Sequence, residues 1–190
     1  MALLSAYAMQ NEIYRKISGT KTHTATSNKK TYVWQNKNRL LTMYRHATGG
    51  KTGFTERARR TLVTTASKNN LNLSVVTLNY GDDFNKHRNL YEDIFSRFSK
   101  YRILNTRTFY LNSDVHGDRL YIKNDFYYTM TSDETTKLTQ NIVLEKSKNK
   151  VIDNVVGFIE IRFDNRVVHK ENIYRKEEPR RSFWSRIFRW

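Results

Sequence analysis

Residues 48–79 leave little freedom of fold. Thr48-Gly49-Gly50-Lys51-Thr52-Gly53-Phe54-Thr55 is followed by Arg60-Thr61-Leu62-Val63-Thr64-Thr65-Ala66-Ser67-Lys68 and then by the apolar run Leu71–Leu78. Three glycines in the first segment argue against a helix, because glycine disfavours helix interiors. Val63, Leu73, Val75, Val76 and Leu78 supply the β-branched and aliphatic character of strands. Asn69-Asn70 suits a tight hairpin, since asparagine tolerates positive φ. Three strands are therefore expected, at about 48–54, 60–67 and 71–79.

Helical spacing brackets this block. Leu3, Leu4, Tyr7, Ala8 and Ile13 give residues 1–16 an apolar side. Phe84, Tyr91, Ile94, Phe95, Phe98 and Tyr101 do the same for a helix over 83–103, expected to pack on the sheet. Gly19–Lys30 is polar and threonine-rich, a loop with an extended piece. Tyr32–Trp34 reads as a strand, and Asn36–Tyr44 as a loop leading into the glycine segment. From Thr108 to Tyr174 the pattern changes to alternation, through Phe109, Leu111, Leu120, Ile122, Ile142, Leu144, Phe158, Ile159, Ile161, Phe163, Val167 and Val168, with a turn at Asp164-Asn165. This is a small β-domain. The fold class is α+β, with domains expected at 1–105, 106–176 and a terminal segment at 177–190.

The formal charge of +16 favours a polyanionic partner: nucleic acid, anionic lipid or wall polymer. Lys29, Lys30, Lys37, Arg39, Arg45, Lys51, Arg57, Arg59 and Arg60 cluster around the glycine segment, with Tyr32, Trp34 and Tyr44 interleaved. Such a surface can bind single-stranded nucleic acid, but no nucleic-acid motif accompanies it, so that partner is disfavoured. Cysteine is absent, and the five histidines do not pair at metal-ligand spacing. Neither a metal nor a cofactor is expected. Gly49-Gly50-Lys51-Thr52 ends like a phosphate-binding loop, yet Arg45 stands where that loop needs its first glycine, and strand-like sequence follows.

Lys51-Thr52-Gly53 resembles the third motif of the serine enzymes that penicillin inhibits. The flanks agree: Tyr32-Val33-Trp34-Gln35-Asn36-Lys37-Asn38 and Leu40-Leu41 before it, Arg60–Lys68 and Leu71–Leu78 after it, and Ile13-Tyr14-Arg15-Lys16-Ile17 near the start. The whole resembles the second half of the catalytic domain of a D-alanyl-D-alanine carboxypeptidase, a low-molecular-mass penicillin-binding protein of the S11 peptidase family. The resemblance is strongest over 31–79 and covers most of the chain.

It implies a partial β-lactamase/transpeptidase-like catalytic domain, then a small β-domain acting as a stalk or spacer. It implies trimming of the peptidoglycan stem peptide, reaction with β-lactams, and a place at the extracytoplasmic face of the bacterial membrane. Lys51 is then the positive charge for the substrate carboxylate, Thr52 a hydroxyl donor, and Gly53 the gap against which substrate lies.

The same resemblance requires a nucleophilic serine in Ser-x-x-Lys. Ser18–Lys21 and Ser27–Lys30 lie too close to Lys51 and in loop-like sequence, whereas the nucleophile opens a buried helix. Ser147–Lys150 falls in the β-domain, and Ser67–Asn69, a formal Ser-x-Asn, follows the motif strand instead of preceding it. No catalytic residue is assigned. The chain is expected to be an inactive fragment whose partner is the missing upstream half of the enzyme. The alternative is a non-enzymatic basic protein that binds nucleic acid, anionic membrane or wall polymer. Met1–Met9 has neither a basic n-region nor a cleavage pattern, so the chain as it stands is expected in the cytoplasm.

The last residues show two faces. Phe183, Trp184, Ile187, Phe188 and Trp190 gather on one side of a helical wheel, opposite Arg181, Arg186 and Arg189. This is the pattern of an amphipathic helix that anchors to an anionic membrane surface.

Overall fold

A computed structural model describes residues 1–146 and 153–176. The anchor pattern at 183–190 and the pair Ser147–Lys150 lie outside the described residues. The chain divides into two compact units, Met1–Lys100 and a second that begins at Tyr101.

The first unit opens with helices α1 (Ala2–Ala8) and α2 (Glu12–Gly19). The single helix expected over 1–16 is broken at Met9–Asn11, because the Asn11 side chain caps the second helix by accepting from the Tyr14 N–H at 3.0 Å. The expected apolar side is not the packed side. Leu3, Leu4, Tyr7 and Ile13 are exposed, and α1 buries Ser5 instead. Ala6 and Met9 line a cleft with Thr65 and Ser74 of the sheet, so the small side of the helix faces a hydroxyl-rich surface.

An antiparallel hairpin follows, β1 (Thr22–Thr26) with β2 (Thr31–Gln35). The expected loop at 36–44 contains a one-turn helix, α3 (Leu40–Met43), whose Leu40 and Leu41 are buried. The three expected strands are all present: β3 (Ala47–Thr55), β4 (Arg59–Lys68) and β5 (Leu71–Leu78), paired antiparallel in that order. Asn69 and Asn70 adopt φ of 52° and 62°, the left-handed pair that closes a two-residue hairpin in the native twist.

Helix α4 (Asp83–Arg97) packs on one face of this sheet. It stops six residues earlier than its periodicity predicts. Residues 98–104 form strand β6 (Phe98–Leu104), in which Leu104 is buried. Aromatic spacing had extended the helix into a strand whose pairing partner lies far along the chain.

Between α4 and the sheet lies an apolar cluster of Leu40, Tyr44, Leu62, Ala66, Phe84 and Tyr91. The Tyr44 and Tyr91 rings stack at 5.8 Å. His87 is fully buried in the same layer. Its Nδ1 meets Thr64 Oγ1 at 2.7 Å and its Nε2 meets Thr77 Oγ1 at 3.0 Å, so both ring nitrogens are satisfied. The Tyr91 hydroxyl donates to the Thr64 carbonyl oxygen at 2.7 Å.

The second unit is antiparallel throughout its main sheet, ordered β10 (Leu138–Leu144), β11 (Val155–Phe163), β12 (Arg166–Tyr174), β8 (Gly117–Ile122), β7 (Leu111–Ser113). A separate ribbon pairs β6 with β9 (Phe126–Thr131). Leu104, Leu120, Ile122, Val156, Ile159, Ile161 and Ile173 form the core. Asp164-Asn165 turns β11 into β12 with φ of 49° and 64°.

Burial pushes the His87 imidazole from 6.5 down to about 4, although the Asp83 carboxylate pulls the other way. A depressed folded-state pKa means the folded state prefers neutral imidazole. That contribution is whole above pH 6.5 and is lost as pH falls toward 4. At 1.36 kcal/mol per pKa unit the loss is on the order of 3 kcal/mol. His87→Gln should therefore be less stable than wild type at pH 7, with the gap shrinking as pH falls to 4. Urea unfolding across that range checks it; a gap independent of pH would show that His87 has the same pKa in the folded and unfolded states.

Candidate active-site wall

The sequence motif lies in the middle of an edge strand. Lys51, Thr52 and Gly53 sit opposite Val63, Leu62 and Thr61 of β4, and among the described residues the other edge of β3 pairs with nothing. Strand alternation sends Thr52 to the face that carries α4 and Lys51 to the opposite face. At the free edge both still line one cleft of about 640 Å³, with Lys37, Arg39, Phe54, Arg60, Thr61, Asp83 and Phe84. Lys51 is exposed, and its Nζ donates to the Thr52 carbonyl oxygen.

The loop before β3 is fixed by a relay of asparagines. The Asn36 side-chain amide donates to the carbonyl oxygens of Ser18 (3.3 Å) and Thr20 (2.9 Å), and Asn36 Oδ1 accepts from Asn38 N–H at 2.9 Å. Asn38 is buried. Its amide donates to the Gly49 carbonyl oxygen at 3.2 Å, and its Oδ1 accepts from Leu40 N–H at 3.2 Å. The end of α2, the start of α3 and the root of β3 are thereby joined through two side chains.

Glycine at this root is a packing requirement. Gly50 has φ +142°, and a Cβ there would collide with the Val63 carbonyl oxygen and stand 2.9 Å from Thr64 Cα. At Gly49 a Cβ would meet Ser18 Oγ at 2.6 Å. Gly53, read from sequence as room for substrate, has a second reason to be glycine: a Cβ would lie 2.5 Å from Thr61 Oγ1 across the strand pair.

At the far end of the cleft, Asp83 is buried and accepts from Arg60 twice, Nε to Oδ2 at 3.2 Å and Nη2 to Oδ1 at 2.6 Å. The pair raises the Arg60 pKa, through the hydrogen bond first and the charge second. Arg39 places its guanidinium over the Phe84 ring, 4.8 Å from the centroid.

The described serines weighed as nucleophiles occupy a helix end, a turn and a hairpin. Ser18 ends α2, with its Oγ 3.5 Å from the Arg15 carbonyl oxygen. Ser27 closes the β1–β2 turn, accepting from Lys29 and Lys30 N–H and donating to the Lys30 carbonyl oxygen. Ser67 and Asn69 belong to the β4–β5 hairpin. Sequence reading missed the Asn38 pin, though Asn36-Lys37-Asn38 was in plain view. It also missed the Arg39–Phe84 and Arg60–Asp83 contacts, for which sequence spacing carries no signal.

An edge strand bearing Lys-Thr-Gly, backed by a helix and followed by a β-rich unit, defines the later part of a penicillin-recognising protein. The fold is similar to that of a peptidoglycan synthesis regulatory factor (PBP3) from Streptococcus pneumoniae, with TM-score 0.63, 16% identity, and coverage of 92% of this chain and 54% of that one. It is similar to penicillin binding protein 5 from Haemophilus influenzae, with TM-score 0.60, 19% identity and coverage of 93% and 54%. A D-alanyl-D-alanine carboxypeptidase from Francisella tularensis follows at TM-score 0.51, 19% identity and coverage of 78% and 40%. The chain thus spans about half the length of these structures, or less. No curated protein matches it in sequence. The family model for D-alanyl-D-alanine carboxypeptidase matches residues 1–81, and that for the C-terminal domain of penicillin-binding protein 5 matches 110–180. The chain belongs to the S11 D-alanyl-D-alanine carboxypeptidase family.

The tight root of β3 makes a clear test of the packing. Gly50→Ala should cost more than about 2 kcal/mol, combining a backbone clash with a left-handed φ. Gly81→Ala, which meets nothing within 4 Å, should stay within about 0.5 kcal/mol of wild type. Denaturant midpoints of the two variants decide it, and similar losses would contradict the packing described.

Proposed function

We propose that the first unit is the carboxylate-binding wall of a D-Ala-D-Ala carboxypeptidase site that trims the peptidoglycan stem peptide, and that the 190-residue chain does not catalyse the reaction alone. The observation that carries this reading is Lys51-Thr52-Gly53 on the free edge of β3. A peptide laid along that edge can pair with main-chain groups, as strands add to sheet edges. The Lys51 ammonium then stands near the terminal carboxylate, and the Thr52 hydroxyl lies within the same cleft. β-Lactams, which carry a carboxylate of their own, are expected at the same place.

The nucleophile and its base are assigned to chain beyond these residues. Two features support that assignment. Leu3, Leu4, Tyr7 and Leu78 are 60–87% exposed, which is unusual for large aliphatic and aromatic side chains near one sheet. The outer edge of β5 is unpaired among the described residues, and Leu71–Leu78 carries no charge or proline to guard it. A further segment of catalytic domain would cover both.

Incubation with a labelled penicillin followed by mass spectrometry should find no covalent adduct on the isolated chain; a stoichiometric adduct on any serine would overturn the inactive reading. When a polypeptide supplying the Ser-x-x-Lys half is provided and the two associate, acylation should become measurable. Lys51→Ala should then slow it at least about tenfold, the value of one charge-assisted contact of roughly 1.5–3 kcal/mol. An unchanged rate would remove Lys51 from the site.

A further inference from the structure

Four basic side chains, Lys37, Arg39, Lys51 and Arg60, line the one cleft, and Asp83 is its sole acid. Asp83 is already engaged by Arg60, and its Oδ1 also accepts from Phe84 N–H at 2.9 Å. Lys37, Arg39 and Lys51 have no carboxylate partner among the described residues. The charge of the cleft is therefore unbalanced by three.

Arg39 is held in place as well as unpaired. Its guanidinium lies over the Phe84 ring, Arg60 approaches the same ring at 5.8 Å, and Phe84, in the first turn of α4, is buried in the core. A cation–π contact of this kind leaves further N–H donors of the guanidinium for a planar acceptor such as a carboxylate. The cleft also has length. Lys51 to Phe54 run consecutively along its wall, which at about 3.3 Å per residue is roughly 10 Å of strand. One terminal carboxylate at Lys51 leaves the charges of Lys37 and Arg39 uncompensated.

We propose that the cleft takes a peptide with two anionic centres: its C-terminal carboxylate at Lys51, and a second free carboxylate, on a side chain or branch, held by Arg39 beside Lys37. This rests on the carboxypeptidase reading of Lys51. A peptide is favoured over a phosphodiester polymer because the free edge of β3 offers main-chain donors and acceptors that match another peptide backbone. Arg39 is then a specificity residue, selecting stem peptides that keep a free acid and rejecting those in which it is amidated.

The test is calorimetric titration of the full chain with two peptides, Nα-acetyl-Lys-D-Ala-D-Ala with its side-chain amine either succinylated, which adds a carboxylate, or acetylated, which does not. Wild type should bind the succinylated peptide at least about fivefold more tightly, the scale of a charge-assisted contact weakened by solvent. Arg39→Gln should erase the preference, bringing the affinities for the two peptides together. Arg39→Lys, which keeps charge and loses the planar fork, should recover only part of it. Lys51→Ala should weaken both peptides alike.

Equal affinities in wild type, or a preference that survives Arg39→Gln, would overturn the proposal and leave the Lys51 reading intact. Binding of neither peptide would remove the Lys51 reading and the proposal with it. An oligo(glycerol phosphate) that outcompetes the succinylated peptide through Arg39 would reassign the cleft to phosphodiester polymers and overturn the peptide assignment.

Discussion

The first unit depends on one buried amide. Asn38 donates to the Gly49 carbonyl oxygen and accepts from Leu40 N–H, so a single side chain ties the incoming loop to the root of β3 and starts α3. A buried polar group left unpaired costs about 1–3 kcal/mol, so this arrangement is favoured only while both partners are in place. Gly49 and Gly50 allow the close approach, since a side chain at either would strike Ser18 or β4. Lys37 and Arg39 flank Asn38, so their place in the cleft with Lys51 follows from the same pin.

Behind β3, the sheet is backed on one side by an aromatic layer with a polar centre. Thr64, Thr77, His87 and Tyr91 satisfy one another inside it. Such a network is stable only when complete, and it fixes the register of α4 on the sheet more narrowly than apolar contacts alone. Phe84 and Asp83 lie one helical turn before His87 on α4. The register that satisfies His87 is thus the one that brings the Phe84 ring beneath Arg39 and the Asp83 carboxylate to Arg60.

Much of this was legible from residues 47–78, where glycine, β-branched residues and the Asn69-Asn70 turn all favour the same meander. Fold class and family followed from that block and its flanks. Periodicity misleads at two places in this chain. Phe98 and Tyr101 continue the aromatic spacing of α4, yet they belong to β6, whose partner β9 lies more than twenty residues on. Leu3, Leu4, Tyr7 and Ile13 form an apolar stripe, yet the described residues offer it nothing to cover. The helix instead lays its small side on Thr65 and Ser74. The cleft's chemistry beyond Lys-Thr-Gly was invisible for another reason. Arg39 and Phe84, or Arg60 and Asp83, are brought together only by folding.

The two-residue turns of asparagine and aspartate bear on how the chain folds. Asn69-Asn70 and Asp164-Asn165 each hold both residues at positive φ, which sets strand register from within the turn. Each strand of the β3–β4–β5 meander then finds its neighbour a few residues away. Closing so short a loop takes on the order of 10–100 ns, far less than a distant pairing requires. The sheet that carries Lys51 is therefore built from local pairings, its motif strand matched to its nearest neighbour in sequence.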